Sequence, residues 1–154
     1  MIRVFLLDDH EVVRGGVSAA LDAQSDMTVV GEAGGAAHAL EAVRECQPDV
    51  AVLDVRLGDG SGIDLCRKIR SEFTDVQCLI LTSFESDRAL VDASLAGAAG
   101  FVLKQIRSND LIEAIRQVHE GRRLLDDAAV RIAMRRLRNS EEGRLAELTP
   151  QELR

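Results

Sequence analysis

The first 104 residues contain five short apolar runs, separated by segments in which apolar residues recur every three or four positions. The runs are rich in valine, isoleucine and leucine, which favours buried strands. They cover residues 2–7, 27–33, 50–55, 77–83 and 100–104. The intervening segments have the apolar spacing of amphipathic helices. Strands that alternate with helices in this way predict βαβ units and a parallel sheet.

The predicted fold class is therefore α/β, with a flavodoxin-like sheet of five parallel strands in the order 2-1-3-4-5. Strands that are apolar throughout fit such a sheet, because helices cover both of its faces. In open sheets of this kind, ligands bind outside the carboxyl ends of the strands. The polar residues at those ends thus become the candidates for a functional site.

Charge is distributed unevenly along the 154 residues, whose net charge is −7. Residues 121–154 contain eight arginines and six acidic residues, a net of +2, which leaves −9 on residues 1–120. A body this acidic is a poor surface for nucleic acid, because DNA affinity depends on neutralising phosphates. We therefore expect no direct DNA binding by the main body, which we assign to a domain of residues 1–121.

A further helical pattern covers about residues 126–139, within a linker that we assign to residues 122–147. Its apolar stripe lies opposite an arginine-rich face and consists of Val130, Ala133, Met134 and Leu137. Two interpretations remain open: the helix lies on the domain or in solvent, or it joins the domain to an effector and contributes to a homodimer. Residues 140–147 are charged and predict a flexible connector.

Composition argues against membrane and secreted proteins. No apolar run approaches the roughly 20 residues of a membrane-spanning helix, and two aspartates occur too early for a signal peptide. The three cysteines are scattered and form no C-x-x-C pair, which favours reduced thiols in the cytoplasm. We expect a cytoplasmic protein with no membrane partner.

Four of the five predicted strands end on a charged or hydroxyl side chain. The first strand ends at Asp8 and Asp9, the third at Asp54, the fourth at Thr82 and the fifth at Lys104. The carboxyl ends of parallel strands share one edge, so these groups should converge there. Three carboxylates in close contact raise one another's pKa unless a positive charge lies between them. A hard divalent cation such as Mg²⁺, which prefers oxygen ligands, meets this requirement.

Phosphoryl transfer accounts for the whole set, because it depends on charge neutralisation and positioning more than on covalent machinery. Asp54, at the central strand, is predicted to be the nucleophile that accepts the phosphoryl group. Asp8 and Asp9, on the neighbouring strand, are predicted to hold Mg²⁺, with the backbone carbonyl of Arg56 as a further oxygen ligand. The apolar strand before Asp54 is then a rigid mount for that nucleophile.

Lys104 and Thr82 complete the predicted phosphoryl site, and His10 lies beside it. Lys104 is predicted to pair with one phosphoryl oxygen as a compact positive charge, and Thr82 to form a hydrogen bond with another. A single imidazole is a poor match for Mg²⁺ among hard oxygen ligands. We therefore expect His10 to be a surface residue, with metal binding as the alternative.

The segments that carry these residues resemble the receiver domains of two-component response regulators. They are, in chain order, DDH (8–10), LDVRLGDGSG (53–62), LTS (81–83) and GFVLK (100–104). The resemblance covers about residues 1–120, and the four motifs are specific as an ordered set although each is weak alone. It implies that a sensor histidine kinase phosphorylates Asp54, with Mg²⁺ held by Asp8, Asp9 and Asp54.

The resemblance also implies a switch and an effector domain. Thr82 and Phe101 look like the switch pair, in which the hydroxyl turns toward the phosphate and the aromatic ring follows inward. The segments DDHEVVRGGV and VVGEA are similar to the NarL/FixJ subfamily, which carries LuxR-type helix-turn-helix effectors. Residues 148–154, LTPQELR, resemble the start of such an effector, whose remainder we expect to be absent. The implied protein is a homodimeric transcriptional regulator that contacts DNA only through the missing domain.

Two other functions stay open from the residues alone. A receiver-like scaffold that never takes phosphate would keep the same fold, although an intact set of acids argues against it. A Mg²⁺-dependent phosphohydrolase of the haloacid dehalogenase type would also use a strand-end aspartate, a hydroxyl and a lysine. That class places its nucleophile at the first strand with a second acid two residues on, where this chain has His10. We therefore expect a phosphorylation switch and not an enzyme.

Overall fold

Five parallel strands form the central sheet of the computed structural model. The structure describes the backbone of residues 1–83, 86–104 and 108–152, and the side chains of these residues up to Ser140, apart from that of Ser108. The strands are β1 (Ile2–Leu7), β2 (Met27–Ala33), β3 (Val50–Asp54), β4 (Gln77–Thr82) and β5 (Gly100–Leu103). Their order in the sheet is β2-β1-β3-β4-β5, and neighbouring strands are parallel. The predicted flavodoxin-like α/β fold and its strand order are confirmed.

Six helices occur within the described ranges. They are α1 (Glu11–Asp22), α2 (Ala39–Cys46), α3 (Gly62–Glu72), α4 (Asp87–Leu95), α5 (Ser108–His119) and α6 (Asp127–Glu152). Local signals fix several helix ends. The Ser86 hydroxyl accepts a hydrogen bond from the backbone N–H of Ala89 at 3.0 Å, as an N-cap does. Gly97 follows α4 with φ of +88°, a left-handed conformation that favours glycine.

Two apolar layers cover the two faces of the sheet, because successive strand residues point to opposite sides. Along β1, Phe5 and Leu7 join the layer that includes residues of α2 and α3. Val4 and Leu6 join the layer that includes residues of α1 and α5. Coverage of both faces explains why the inner strand β3 is apolar and buried up to its last residue, Asp54.

Helix α6 is longer than the sequence pattern predicts. The pattern favours a helix over about 126–139 and a flexible connector over 140–147, whereas the backbone is helical from Asp127 to Glu152. The connector prediction is wrong, because those residues are mostly glutamate, arginine, leucine and alanine, which are strong helix formers.

The apolar stripe of α6 lies against α4. Val130 and Ala133 are buried together with Val91, and Arg136 Nη1 lies 3.5 Å from Asp87 Oδ1. Of the two interpretations left open by the sequence, this arrangement agrees with a helix that lies on the domain. A role in a homodimer stays a prediction.

The three cysteines are free thiols, two of them buried. Cys66 and Cys78 are enclosed in the core and Cys46 is partly buried, which agrees with their expected role as small apolar side chains. None of the helices in the described ranges is long and apolar enough to cross a membrane.

Candidate functional site

The carboxyl ends of β1, β3, β4 and β5 bring the predicted polar residues to one edge of the sheet. In the strand register, Leu7 pairs with Leu53 and Thr82 pairs with Leu103. Asp54 is the last residue of β3. The residues that end or follow these strands therefore lie side by side, as the parallel arrangement predicts.

One ammonium group lies between two buried carboxylates at this edge. Lys104 Nζ is 2.8 Å from Asp54 Oδ2 and 3.2 Å from Asp8 Oδ2. Asp54 and Asp8 are only 3% and 5% exposed, and the side chain of Lys104 is 13% exposed. Because charges interact more strongly away from bulk water, these three residues act as a single electrostatic unit.

The pKa shifts of this unit follow from burial and from the shared ammonium. Burial raises the pKa of Asp54, and Lys104 offsets only part of that effect. Burial also acts to raise the pKa of Asp8, but a hydrogen bond from the backbone N–H of His10, at 2.9 Å, and contacts with Lys104 bring it below its ordinary value. Burial opposes the charge on Lys104, yet the two carboxylates raise its pKa. The pKa of Asp54 is thus raised and that of Asp8 is lowered, although both are buried beside the same ammonium.

Asp9 and His10 extend the acidic cluster toward solvent. His10 Nδ1 lies 3.1 Å from Asp8 Oδ1 and 3.1 Å from Asp9 Oδ1, and the imidazole is 63% exposed. One ligand atom from each of Asp8, Asp9, His10 and Asp54 lies within 4.8 Å of the others. Three carboxylates at this spacing suit a hard cation such as Mg²⁺. The acids predicted to hold the metal therefore lie together.

A short antiparallel hairpin, formed by Arg56–Leu57 and Gly60–Ser61, follows β3. The backbone N–H of Arg56 is 3.4 Å from Asp54 Oδ1, which makes it a long hydrogen-bond donor to that carboxylate. The metal-binding role of the Arg56 carbonyl stays a prediction.

A cleft of about 100 Å³ opens above Asp54. It is lined by His10, Asp54, Val55, Arg56, Thr82, Ser83 and Lys104. Thr82 is buried at its wall, and the backbone N–H of Lys104 donates to the Thr82 carbonyl at 2.6 Å, which ties the ends of β4 and β5 together. Pockets for drug-sized ligands are larger, with volumes above roughly 300 Å³. The cleft thus suits a small group such as a phosphoryl group and not a nucleotide.

Phe101, the predicted partner of Thr82, lines a different groove. It is half-buried and pairs with Ile80 in the sheet. The groove, of about 570 Å³, lies between α4 and α6, and its apolar wall includes Leu90 and Ile132. Thr82, at the wall of the cleft above Asp54, and Phe101, in the groove beside α4, thus belong to adjacent strands. The switching role of Phe101 stays a prediction.

Two residues that the sequence did not single out shape the turn after β3. A Cβ at Gly62 would overlap the carbonyl oxygen of Asp54, so only glycine fits there. Asp59 accepts hydrogen bonds from the backbone N–H groups of Ala36 and Ala37 at 2.8 and 3.1 Å, which joins this turn to the loop after β2. The partners of Asp59 lie more than 20 residues away in the chain, so no local pattern of residues identifies them.

Arg14 is a third residue that the sequence did not single out. Its Nη1 donates to the backbone carbonyl of Asp8 at 2.6 Å, and its Nε lies 3.4 Å from Glu32 Oε1. The guanidinium therefore links the turn that carries the acidic pair to β2. Arg14 occurs in α1, six residues after Asp8, and nothing in the sequence pattern distinguishes it from a solvated arginine.

Comparison with known proteins assigns this arrangement to a family. Residues 4–116 match the family model of the response regulator receiver domain. The chain therefore belongs to the response regulator receiver family. Receiver domains generally bind Mg²⁺ at an acidic pocket, and this chain has a cluster of aspartates at the carboxyl ends of its strands.

The chain is also similar to regulators that act on transcription. It is 51% identical to the DNA-binding transcriptional activator DevR/DosR of Mycobacterium tuberculosis, over 99% of this chain and 71% of the relative. It is 36% identical to the transcriptional regulatory protein LiaR of Bacillus subtilis, over 99% of this chain and 74% of the relative. A LuxR-family response regulator from Aurantimonas has a solved structure with a TM-score of 0.78 and 33% identity, covering 89% of this chain and 99% of that one. These similarities place the receiver within a LuxR-family response regulator.

Proposed function

We propose that Asp54 accepts a phosphoryl group from a sensor histidine kinase in a reaction that depends on Mg²⁺. One observation carries this proposal: a buried carboxylate with a raised pKa ends a rigid apolar strand and lies 2.8 Å from the ammonium of Lys104. Burial of a charge is costly, so a buried carboxylate at this edge favours a functional role. Perturbed carboxylates in a cleft are typical of functional sites.

The transfer exchanges one bond to phosphorus for another. An oxygen of Asp54 bonds to phosphorus while the P–N bond to the phosphorylated histidine of the kinase breaks, and the electron pair of that bond stays with the imidazole. Lys104 then pairs with a phosphoryl oxygen and the Thr82 hydroxyl donates a hydrogen bond to another. The positions of both side chains around the cleft support these roles.

Asp8, Asp9 and Asp54 would hold Mg²⁺, with the backbone carbonyl of Arg56 as a fourth protein ligand. The ion supplies positive charge to the carboxylates and to the phosphoryl oxygens when it is bound. The close spacing of the acids supports this assignment.

The output of the switch would pass from Thr82 through Phe101 to the surface of α4. In our proposal this change alters dimerisation, and thereby the DNA binding of a helix-turn-helix domain that begins near residue 148. The receiver would comprise residues 1–121 and the linker residues 122–147. Phe101 supports this route because it lines the groove between α4 and α6, and the DNA-binding relatives support the output.

Intact-mass spectrometry after incubation with acetyl phosphate tests this proposal. We expect a single phosphoryl adduct that requires Mg²⁺ and is absent from Asp54→Asn. Asp64→Asn, which changes an exposed carboxylate on α3, is the matched control and should keep the adduct. Wild type that forms no adduct in any condition would favour a phosphate-independent scaffold, and an adduct retained by Asp54→Asn would mean that another residue is the acceptor.

A further inference from the structure

We propose that three arginines of α6, Arg131, Arg135 and Arg138, form a surface for the phosphate backbone of duplex DNA. This inference rests on the proposed function, in which a domain that begins near residue 148 binds DNA. It adds a contact outside that domain, which the family resemblance did not imply. We call these three residues the arginine row.

The arginine row lies on one side of α6 and faces solvent. Spacings of four and three residues place Arg131, Arg135 and Arg138 above one another, because an α-helix repeats every 3.6 residues. All three residues are exposed. Val130 and Ala133, on a different side of the helix, are buried together with Val91 of α4. The contact between α6 and α4 therefore leaves the row accessible.

The arginine row forms no ion pair or hydrogen bond with any side chain that the structure describes. Each of the other arginines with a described side chain contacts a partner within the chain. Arg136, beside the row, lies 3.5 Å from Asp87. The chain has 26 acidic and 19 basic residues, so carboxylates are not scarce. Among the described arginines, the lack of a partner is thus confined to this row.

Three like charges in a row do not stabilise α6 itself. Arginines three or four residues apart on a helix repel one another. Asp127 lies four residues before Arg131, where it could relieve this repulsion, but its carboxylate is 3.4 Å from Arg123 instead. The row therefore favours a partner outside the helix that carries several negative charges at a matching spacing.

The length of the row matches the spacing of phosphates in DNA. From Arg131 to Arg138 the helix rises about 10 Å, at roughly 1.5 Å per residue. Each strand of B-DNA has one phosphate per roughly 3.4 Å of its axis, so this length corresponds to about three phosphates. Guanidinium groups bind phosphate oxygens through paired N–H donors. Three arginines along three phosphates form a complementary arrangement.

The position of the row in the chain brings it near the DNA of the proposed function. The backbone of α6 is helical from Asp127 to Glu152. Arg138 lies ten residues before residue 148, which is about 15 Å along the helix. One turn of duplex DNA spans about 34 Å. Phosphates that flank the recognised bases therefore lie within this range.

An anionic membrane surface fits α6 less well than DNA does. Helices that lie in a membrane interface bury an apolar face in the lipid beside their basic residues. In α6 the apolar side chains of Val130 and Ala133 are already buried in the contact with α4. Binding to DNA phosphates requires only the exposed charges.

An NMR titration of the 154-residue protein with a duplex of arbitrary sequence tests the inference, because it detects weak binding and locates it. At about 50 mM salt we expect the side-chain Nε–Hε signals of the arginine row to shift. The association constant should fall roughly 40-fold between about 50 and 200 mM salt, as three phosphate contacts predict. The triple variant Arg131→Gln, Arg135→Gln, Arg138→Gln should bind roughly tenfold more weakly at the lower salt and lose most of the salt dependence. Glutamine keeps the helix propensity of these positions.

The matched control is the triple variant Arg44→Gln, Arg67→Gln, Arg122→Gln. These arginines each pair with an acidic side chain, and the net charge changes by the same amount. The control should keep the salt dependence of the wild type and most of its affinity. Equal losses in the two triple variants would assign the effect to net charge and overturn the role of the row.

Three further results would also overturn the inference. One is an absence of DNA-induced shifts, or shifts confined to other residues. Another is tighter binding to phosphatidylglycerol vesicles than to the duplex, which would make a membrane the partner. The third is a shift of the row signals with protein concentration alone, which would make a second copy of the chain the partner.

The outcomes separate this inference from the proposed function, because the DNA titration needs no phosphorylation and the intact-mass assay needs no DNA. An Asp54 adduct in a protein whose arginine row does not bind the duplex would leave the phosphorylation switch standing. Binding by the row in a protein that forms no adduct would remove the switch and keep the DNA surface.

Discussion

The two ends of the sheet each carry an aspartate paired with a basic side chain, and the two pairs behave differently. At the carboxyl ends, Asp8 and Asp54 share the ammonium of Lys104 in a buried cluster. At the amino ends, Arg116 binds both oxygens of Asp26 at 2.8 and 3.1 Å. The side chain of Asp26 is 45% exposed, whereas that of Asp54 is 4% exposed.

Burial explains the difference. Hydrogen bonds from Arg116 lower the pKa of Asp26, since the guanidinium binds this exposed carboxylate in a planar, bidentate arrangement. Burial raises the pKa of Asp54, and Lys104, which Asp54 shares with Asp8, offsets only part of that effect. An aspartate and a basic side chain therefore form an exposed ion pair at one edge and part of the buried candidate site at the other.

The largest loss of stability should come from Gly62→Ala, which disturbs the carboxyl ends of the strands (the carboxyl edge of the sheet) without changing any charge. The new Cβ would overlap the carbonyl oxygen of Asp54, so the end of β3 must shift. We expect a loss of about 3 kcal/mol of unfolding free energy, at the upper end for overpacking, and a strongly reduced rate of phosphorylation. Urea unfolding and the intact-mass assay measure the two effects.

Gly15→Ala is the control for that substitution. Gly15 lies in α1 and a Cβ there would have no atom within 4 Å, so we expect a gain of about 0.5–1 kcal/mol from helix propensity. Equal losses in both variants would show that the contact with Asp54 is not the cause.

Lys104→Met should have the second-largest effect, because it leaves Asp8 and Asp54 buried without their shared cation. We expect a loss of about 2 kcal/mol at neutral pH, less than for a fully enclosed pair because the cleft opens to solvent. Added Mg²⁺ should stabilise this variant more than it stabilises the wild type, since binding to the folded state raises its stability. Thermal unfolding with and without Mg²⁺ is the measurement. The control is Lys68→Met, which removes an exposed lysine of α3 and should have the thermal stability of the wild type. A Lys104→Met variant with wild-type thermal stability would contradict the prediction.

The pKa values of Asp54 and Asp26 should shift in opposite directions, an effect smaller than the changes in stability above. In a carboxyl NMR titration without added divalent cations, Asp54 should titrate above its ordinary value of 3.8 and Asp26 below 3.8. Asp26 then stabilises the fold above pH 3.8, and this contribution is lost as the pH falls through its lowered pKa. Asp54 acts in the opposite sense, because the fold gains stability as the pH falls through its raised pKa. Shifts in the same direction for both residues would mean that burial does not distinguish the two edges.

The smallest effect should come from Arg116→Gln at the amino edge. This change removes an exposed ion pair, and such pairs contribute little in water. We expect a slight decrease in the thermal midpoint that disappears in about 1 M salt, where screening acts over about 3 Å. A decrease as large as that of Lys104→Met, or one that salt does not reduce, would contradict the contrast between the two edges.

Much of the fold and part of the site could be predicted from particular residues. The apolar runs predicted β1 and β2 with their observed bounds, because buried parallel strands require continuous apolar sequence. The same pattern placed Asp8, Asp54 and Lys104 at a common edge. The length of α6 was not predicted, because its charged half has helix-forming residues but no apolar periodicity that distinguishes a helix from a connector.

The sequence by itself determined which residues could form the core and which chemical groups would meet at the carboxyl edge, since strand and helix periodicity depends on local neighbours. Only the tertiary structure decided that one ammonium serves two carboxylates, that Gly62 must lack a side chain and that His10 lies against the acids. These features depend on distances and burial between segments far apart in the chain. Such distances are set by the packing of the whole domain, and no local pattern of residues specifies them.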